Sequence, residues 1–177
     1  VHPDSKSSLF DHFFIDIGDE QSLENDLSTY SSHLMSMKHF TQFATKKTIL
    51  FIDEFGTGTE PQFGGAIAES ILLTLAKLGA YGVITTHYGN LKQLADKQQG
   101  LVNGAMRYDV QKLEPLYQLE IGKPGSSFAL EIASKIGLSK EIVAYAKQQI
   151  GEERVRYDRL LTQLENEKNH YDLLLKE

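Results

Sequence analysis

Apolar residues along this chain follow two rhythms, short unbroken runs and helical spacings, and the two alternate. Thr48-Ile49-Leu50-Phe51-Ile52 is a run closed by the carboxylates Asp53 and Glu54, and it predicts a short buried strand over Ile49 to Ile52. Before it, Phe13 to Gly18 reads as a strand, and Gln21 to Phe43 as a helix entered through Asp19, Glu20 and Ser22. After it, the loop Gly56-Thr57-Gly58-Thr59-Glu60-Pro61 leads to Ile67, Ile71, Leu72, Leu75 and Leu78 at helical spacing, with Gly79 as the stop. Tyr81 to Thr85 is the next apolar strand. Strand, helix and strand in close succession predict an α/β fold, a mostly parallel sheet covered by helices.

Downstream the rhythm changes. A short helix is expected around Tyr88 to Ala95, then strands over Val102 to Val110 and Leu116 to Ile121, paired antiparallel at the edge of the sheet. Gly122-Lys123-Pro124-Gly125 breaks the chain before a helix from Ser127 to Ile136, and Ser139 is placed to cap a second helix ending near Ile150. Together they predict a helical hairpin. From Glu152 to Glu177 there is no Gly or Pro, and Ile150, Tyr157, Leu164 and Tyr171 recur every seven residues, with Leu160 and Leu174 between repeats. That seam suits the start of a coiled coil, while Glu153 and Glu167 interrupt it as they would in an ordinary amphipathic surface helix; the pattern leaves both open.

Composition narrows the chemistry. The 177 residues suit one compact body, and 41% hydrophobic content is enough for a core. With no cysteine, disulfides and thiolate metal sites are excluded, which fits a cytoplasmic location. A net charge of -6 argues against a broad nucleic-acid surface, which needs clustered Lys and Arg. No apolar run approaches the roughly 18 residues of a membrane span, and the first residues resemble no signal peptide, so a soluble protein is expected. His2, His12, His33, His39 and His170 show no metal-ligand spacing, and no Gly-x-Ser-x-Gly element marks a serine hydrolase.

The chemistry therefore centres on Asp53 and Glu54. An acid pair at the carboxyl end of a buried strand is how nucleotide hydrolases set a magnesium-associated carboxylate beside a base for water. Neighbouring side chains on a strand face opposite ways, so both serve one site only where the backbone turns, which the following glycines permit. His87, after the strand that holds Val83, would stand on the same rim, able to bond a phosphate or the attacking water. Ser22 to Ser32 gathers hydroxyls at a helix start, where an anion can bind but simple capping is the commoner use. Gly122 to Ser127 has the wrong spacing for a phosphate loop and reads as a hinge. No segment reads Gly-x-x-x-x-Gly-Lys-Ser/Thr, the loop that cradles phosphates.

Asp16-Ile17-Gly18-Asp19-Glu20-Gln21-Ser22, Leu27 to His33, Asp53 to Pro61 and Thr85-Thr86-His87-Tyr88, in this order and spacing, closely resemble the ATPase domain of MutS proteins. Asp-Ile-Gly-Asp-Glu-Gln-Ser and the Glu60-Pro61 ending look like the second MutS family, the bacterial paralogue linked to recombination control. The resemblance implies a partial P-loop NTPase of the ABC-like, three-layer kind, lacking the strand and loop of the Walker A motif. That strand normally lies beside the one holding Val83. Asp53 and Glu54 would be the Walker B acids, with Asp53 holding magnesium through water, and His87 the switch histidine. Ser28 and Thr29 would belong to a signature loop reaching ATP on a partner subunit, and Thr57 and Gly58 to a loop communicating across the dimer. Residues 1–122 would be the carboxyl-terminal part of the ATPase domain, 123–150 a helical dimerisation element and 151–177 the start of a coiled-coil-like helix. The parent would be a homodimer that uses ATP to control its state on DNA, binding DNA mainly through other domains, with nuclease activity open. Without the phosphate loop, the chain alone should bind ATP weakly and turn over none. A purely dimerising module, or another ABC-like chromosome or repair ATPase, are the alternatives.

Overall fold

A computed structural model of the chain describes residues 3–17, 28–109, 112, 114–125, 127–152, 155–156, 159–164, 167 and 171. The expected helix start over 21–27 and its hydroxyl cluster, together with Gly18, Tyr157, His170 and Leu174, lie outside the described residues. The chain forms two compact units, Val1–Leu101 and Val102–Glu177.

The first unit runs β1 (His12–Asp16), α1 (Ser28–Phe43), β2 (Thr48–Ile52), α2 (Pro61–Leu78), β3 (Tyr81–Ile84) and α3 (Gly89–Lys97). Its three strands are parallel in the order β1-β2-β3, with Phe14 level with Leu50 and Gly82, and Asp16 level with Ile52 and Ile84. The period of two along β2 sends Thr48, Leu50 and Ile52 to one face, where all three are buried. Helix α1 lays Met37 and Phe40 on that face, Ala44 follows just past its end, and the rings of Phe14 and Phe40 stack at 5.0 Å. Ala68 and Leu75 from α2 and Leu91 from α3 complete the core.

Both ends of α2 follow from side-chain and backbone chemistry. Pro61 sits in the first turn, and the Glu60 carboxylate accepts from the amides of Gln62 and Phe63, each at 3.1 Å. At the other end Gly79 takes φ 75°, and the Ala80 amide reaches back to the Leu75 carbonyl, closing a Schellman turn.

The opposite face of the sheet is apolar and open. Phe13, Ile15, Tyr81 and Val83 are each about three-fifths exposed. Among the described residues the expected three layers are therefore two in this unit, since α1, α2 and α3 all pack on the Leu50 face.

The second unit begins with β4 (Gly104–Asp109) and β5 (Glu114–Ile121), paired antiparallel with an irregularity between Met106 and Tyr108. The antiparallel pair was expected at the edge of the parallel sheet; it is a separate two-stranded sheet instead. Its backbone partners lie within its own hairpin, so alternation alone could not tell an edge pair from an independent one. Helices α4 (Ala129–Lys135) and α5 (Lys140–Ile150) form the expected hairpin, turned at Gly137 and capped where the Ser139 hydroxyl accepts from the Ile142 amide at 3.3 Å. Phe128 is buried and stacks on Tyr108 at 5.5 Å, and Val143 is the buried residue of α5. Beyond Gly151 the described residues are helical, and Ile150, Leu164 and Tyr171 of the seven-residue seam, with Leu160 between repeats, are all exposed.

Candidate functional site

Parallel pairing brings the carboxyl ends of the three strands of the first unit side by side. The ladder continues past the strands: the Asp53 amide donates to the Asp16 carbonyl, and the Thr85 amide to the Ile52 carbonyl, both at 2.9 Å. Glu54 then takes φ 48°, the left-handed region that a non-glycine residue adopts at a cost, and the Phe55 amide bonds the Thr85 carbonyl at 2.9 Å. A tight turn follows, with the Thr57 amide on the Glu54 carbonyl at 3.1 Å and Gly56 at φ 90°. This backbone reversal leaves the neighbouring side chains of Asp53 and Glu54 both exposed at the sheet rim.

The next strand end clasps that turn through its side chains. The Thr85 hydroxyl donates to Asp53 Oδ1 and accepts from the Glu54 amide at 2.9 Å. The Thr86 hydroxyl donates to the Phe55 carbonyl at 3.2 Å and accepts from the Tyr88 amide at 3.1 Å. The Tyr88 hydroxyl donates to the Gly56 carbonyl at 2.8 Å. Burial, then the neighbouring Tyr30 and then Glu60 hold the Tyr88 phenol above its ordinary pKa, so it stays a donor. His87 sits in the middle of this clasp with its side chain exposed.

Glycines let the loop approach the helices. A Cβ on Gly64 of α2 would lie 2.6 Å from the Gly56 carbonyl oxygen and 2.7 Å from the Tyr88 hydroxyl, so no other residue fits. A Cβ on Gly58 would lie 3.3 Å from Tyr30 Cβ, which sets the Thr57-Gly58 loop against the first turn of α1. Ser28 and Thr29 open that helix; their side chains lie outside the described part. Asp53, Glu54, His87, Thr57 and Gly58 are thus gathered at one end of the sheet, with the start of α1 beside the loop.

Two features escaped the sequence reading. His33 has no ligand-spaced neighbour in sequence, yet its Nδ1 lies 2.8 Å from Asp16 Oδ2, a partly buried pair joining α1 to the end of β1. Beside it, Asp16, Tyr30, His33, Phe55 and Thr57 line a small cavity, and the Tyr30 hydroxyl is buried with no hydrogen-bond partner among the described residues. The other feature is the set of clasping hydroxyls, Thr85, Thr86 and Tyr88. The signal was adjacent threonines at a strand end, but their partners are about 31 residues away and become visible only with the strand register.

MutS domain V matches over residues 3–153. The chain is 41% identical over 163 residues to a protein of Thermomicrobium roseum named Endonuclease MutS2, covering 92% of this chain and 21% of that protein. Proteins of the same name from Caldanaerobacter subterraneus and Bacillus velezensis are 42% and 39% identical, over 93% and 98% of this chain and 21% and 22% of theirs. The chain spans about a fifth of the length of these curated relatives. With the match running through both units, the chain belongs to the MutS family as a domain V of the MutS2 type.

Proposed function

We propose that this domain supplies the water-activating side of an ATP hydrolysis site in a larger protein. The observation that carries the reading is the rim itself: Asp53, Glu54 and the segment bearing His87 meet at adjacent ends of parallel strands and are bonded to each other. Open α/β sheets bind ligands at that edge. Asp53 Oδ2 has no protein donor among the described residues and suits a water of a magnesium ion. Magnesium bound through one carboxylate and substrate phosphates needs no cage of protein ligands, and it would neutralise charge on the triphosphate. Glu54, exposed beside it, takes the role of orienting the attacking water and accepting its proton, and His87 that of a donor to the phosphate or that water.

Asp53, Glu54 and Glu60 make this rim acidic, and the cationic and amide-lined cradle that a triphosphate requires is not written anywhere in the 177 residues. The open apolar face holding Phe13, Ile15, Tyr81 and Val83 supports the same reading, because parallel sheets are ordinarily covered on both sides. We place the phosphate-binding part of the parent there, with residues 1–122 as the ATPase portion, 123–150 as the dimerisation element and 151–177 leading into a coiled coil. In that parent Ser28 and Thr29 reach ATP held by the second subunit, and the Thr57-Gly58 loop carries its state across the homodimer. The relatives are named as endonucleases. We assign to the parent an ATP-dependent role on DNA in repair or recombination control, with DNA bound mainly by its other domains.

The reading is tested with two proteins. The chain alone should show no saturable ATP turnover, whereas the parent should hydrolyse ATP, lose turnover by on the order of 100-fold with Glu54→Gln, and still bind ATP. Full turnover in the parent Glu54→Gln protein would remove Glu54 from the chemistry.

A further inference from the structure

We propose that Thr85 is a positioning residue for both acids of the rim, an inference that rests on the ATPase reading. Its single hydroxyl is a donor to Asp53 Oδ1 and an acceptor from the Glu54 amide. A hydroxyl has one proton to give and lone pairs to receive, so the two bonds are compatible only in this polarity. One bond fixes the rotation of the Asp53 carboxylate and leaves Oδ2 with no donor among the described residues. The other holds the peptide before Glu54, whose φ of 48° a less constrained chain would relax. Thr85 is also anchored by its own backbone, with its amide on Ile52 and its carbonyl on Phe55. Its hydroxyl therefore sits at a fixed point of the ladder and not on a mobile loop.

Polarity makes the assignment specific. Thr86, one residue on, bonds only backbone of the neighbouring turn and of its own strand end, at Phe55 and Tyr88. Of the two threonines, Thr85 is the one that bonds the Asp53 carboxylate. Its side chain is exposed, so no packing demand accounts for a threonine there. Valine keeps the shape and removes both bonds, and serine keeps both bonds and removes the methyl group.

The experiment is steady-state ATP hydrolysis by the full-length parent carrying Thr85→Val, Thr85→Ala, Thr85→Ser or Glu54→Gln, at varied ATP and magnesium. Thr85→Val and Thr85→Ala should lower kcat on the order of 10- to 100-fold, raise the magnesium concentration for half-maximal rate, and change KM for ATP less than about threefold. Thr85→Ser should restore kcat to within about threefold of the natural protein. Natural kcat and magnesium dependence in Thr85→Val and Thr85→Ala would overturn the proposal, as would a Thr85→Ser protein as slow as Thr85→Val. If Glu54→Gln abolishes turnover while Thr85→Val does not, the proposal fails and the ATPase reading stands. If Glu54→Gln leaves turnover intact, that reading fails with it.

Discussion

The two units of this chain bury themselves to different depths. The first encloses a continuous core of Met37, Phe40, Leu50, Ile52, Leu75 and Leu91 beneath a parallel sheet. In the second, the buried apolar residues among those described are Phe128 and Val143, while Tyr117, Leu119, Ile121, Ile142 and Tyr145 stand exposed. Apolar burial contributes about 25 cal/mol for each Å² removed from water, so the first unit holds itself and the second gains little from its own interior. The comparison teaches where the buried core is concentrated. The Asp53–Glu54 rim stands on the unit with the continuous core, and both units carry exposed apolar side chains, Phe13, Ile15, Tyr81 and Val83 on the sheet of the first and Tyr117, Leu119, Ile121, Ile142 and Tyr145 in the second.

The largest expected effect is on the core of the first unit. Leu75 is 2% exposed, and Leu75→Ala should destabilise that unit by about 2–5 kcal/mol through lost transfer energy and a cavity. Val143→Ala removes two methyl groups from the second unit and should cost about 1.5 kcal/mol there. Amide exchange at increasing urea reads the units separately: β2 and α2 should outlast α4 and α5. Protection lost at the same urea concentration in both units, for both variants, would break the distinction between them.

The exposed seam gives a smaller effect on stability and a larger one on assembly. Leu160 and Leu164 are 55% and 53% exposed, so Leu160→Asp with Leu164→Asp should move folding stability by no more than about 0.5 kcal/mol each. If the helix pairs with a second copy, the same variant should shift the parent from dimer toward monomer in light scattering. A dimer unaffected by both changes would leave the seam an ordinary surface face.

How far the sequence carried follows the same division. In the first unit, Ile49 to Ile52 and the helical spacing of Ile71 and Leu75 were legible because a single period decides the face. The Gly79 stop and the Ser139 cap were legible because such termini rest on local bonds, whereas Glu60 was read as loop and caps α2 in the structure. What could not be read was anything that depends on register. The Asp16–His33 pair spans 17 residues and the Thr85–Asp53 bond spans 32, and neither leaves a periodic mark. The independence of the β4–β5 sheet was hidden for a related reason, since alternation fixes which residues share a face but not which strand lies alongside.

The finest test lies inside the first unit, at the link between the His87 segment and the acid turn. Tyr88 donates to the Gly56 carbonyl at 2.8 Å, a bond worth about 0.5–1.5 kcal/mol, and Tyr88→Phe should lower stability by that amount near neutral pH. Burial, Tyr30 and Glu60 raise the folded pKa of Tyr88 above the ordinary 10.0. An acid whose pKa is raised by folding loses stability as pH climbs from its unfolded value through its folded one, because the unfolded chain releases the proton first. The phenolate, moreover, has no proton to give Gly56. The gap in urea midpoint between the natural chain and Tyr88→Phe should therefore be full below pH 10 and shrink above it. A gap that stays constant through that range would mean the phenol is not held in its protonated form by the fold, and the Gly56 contact would be worth less than its geometry suggests.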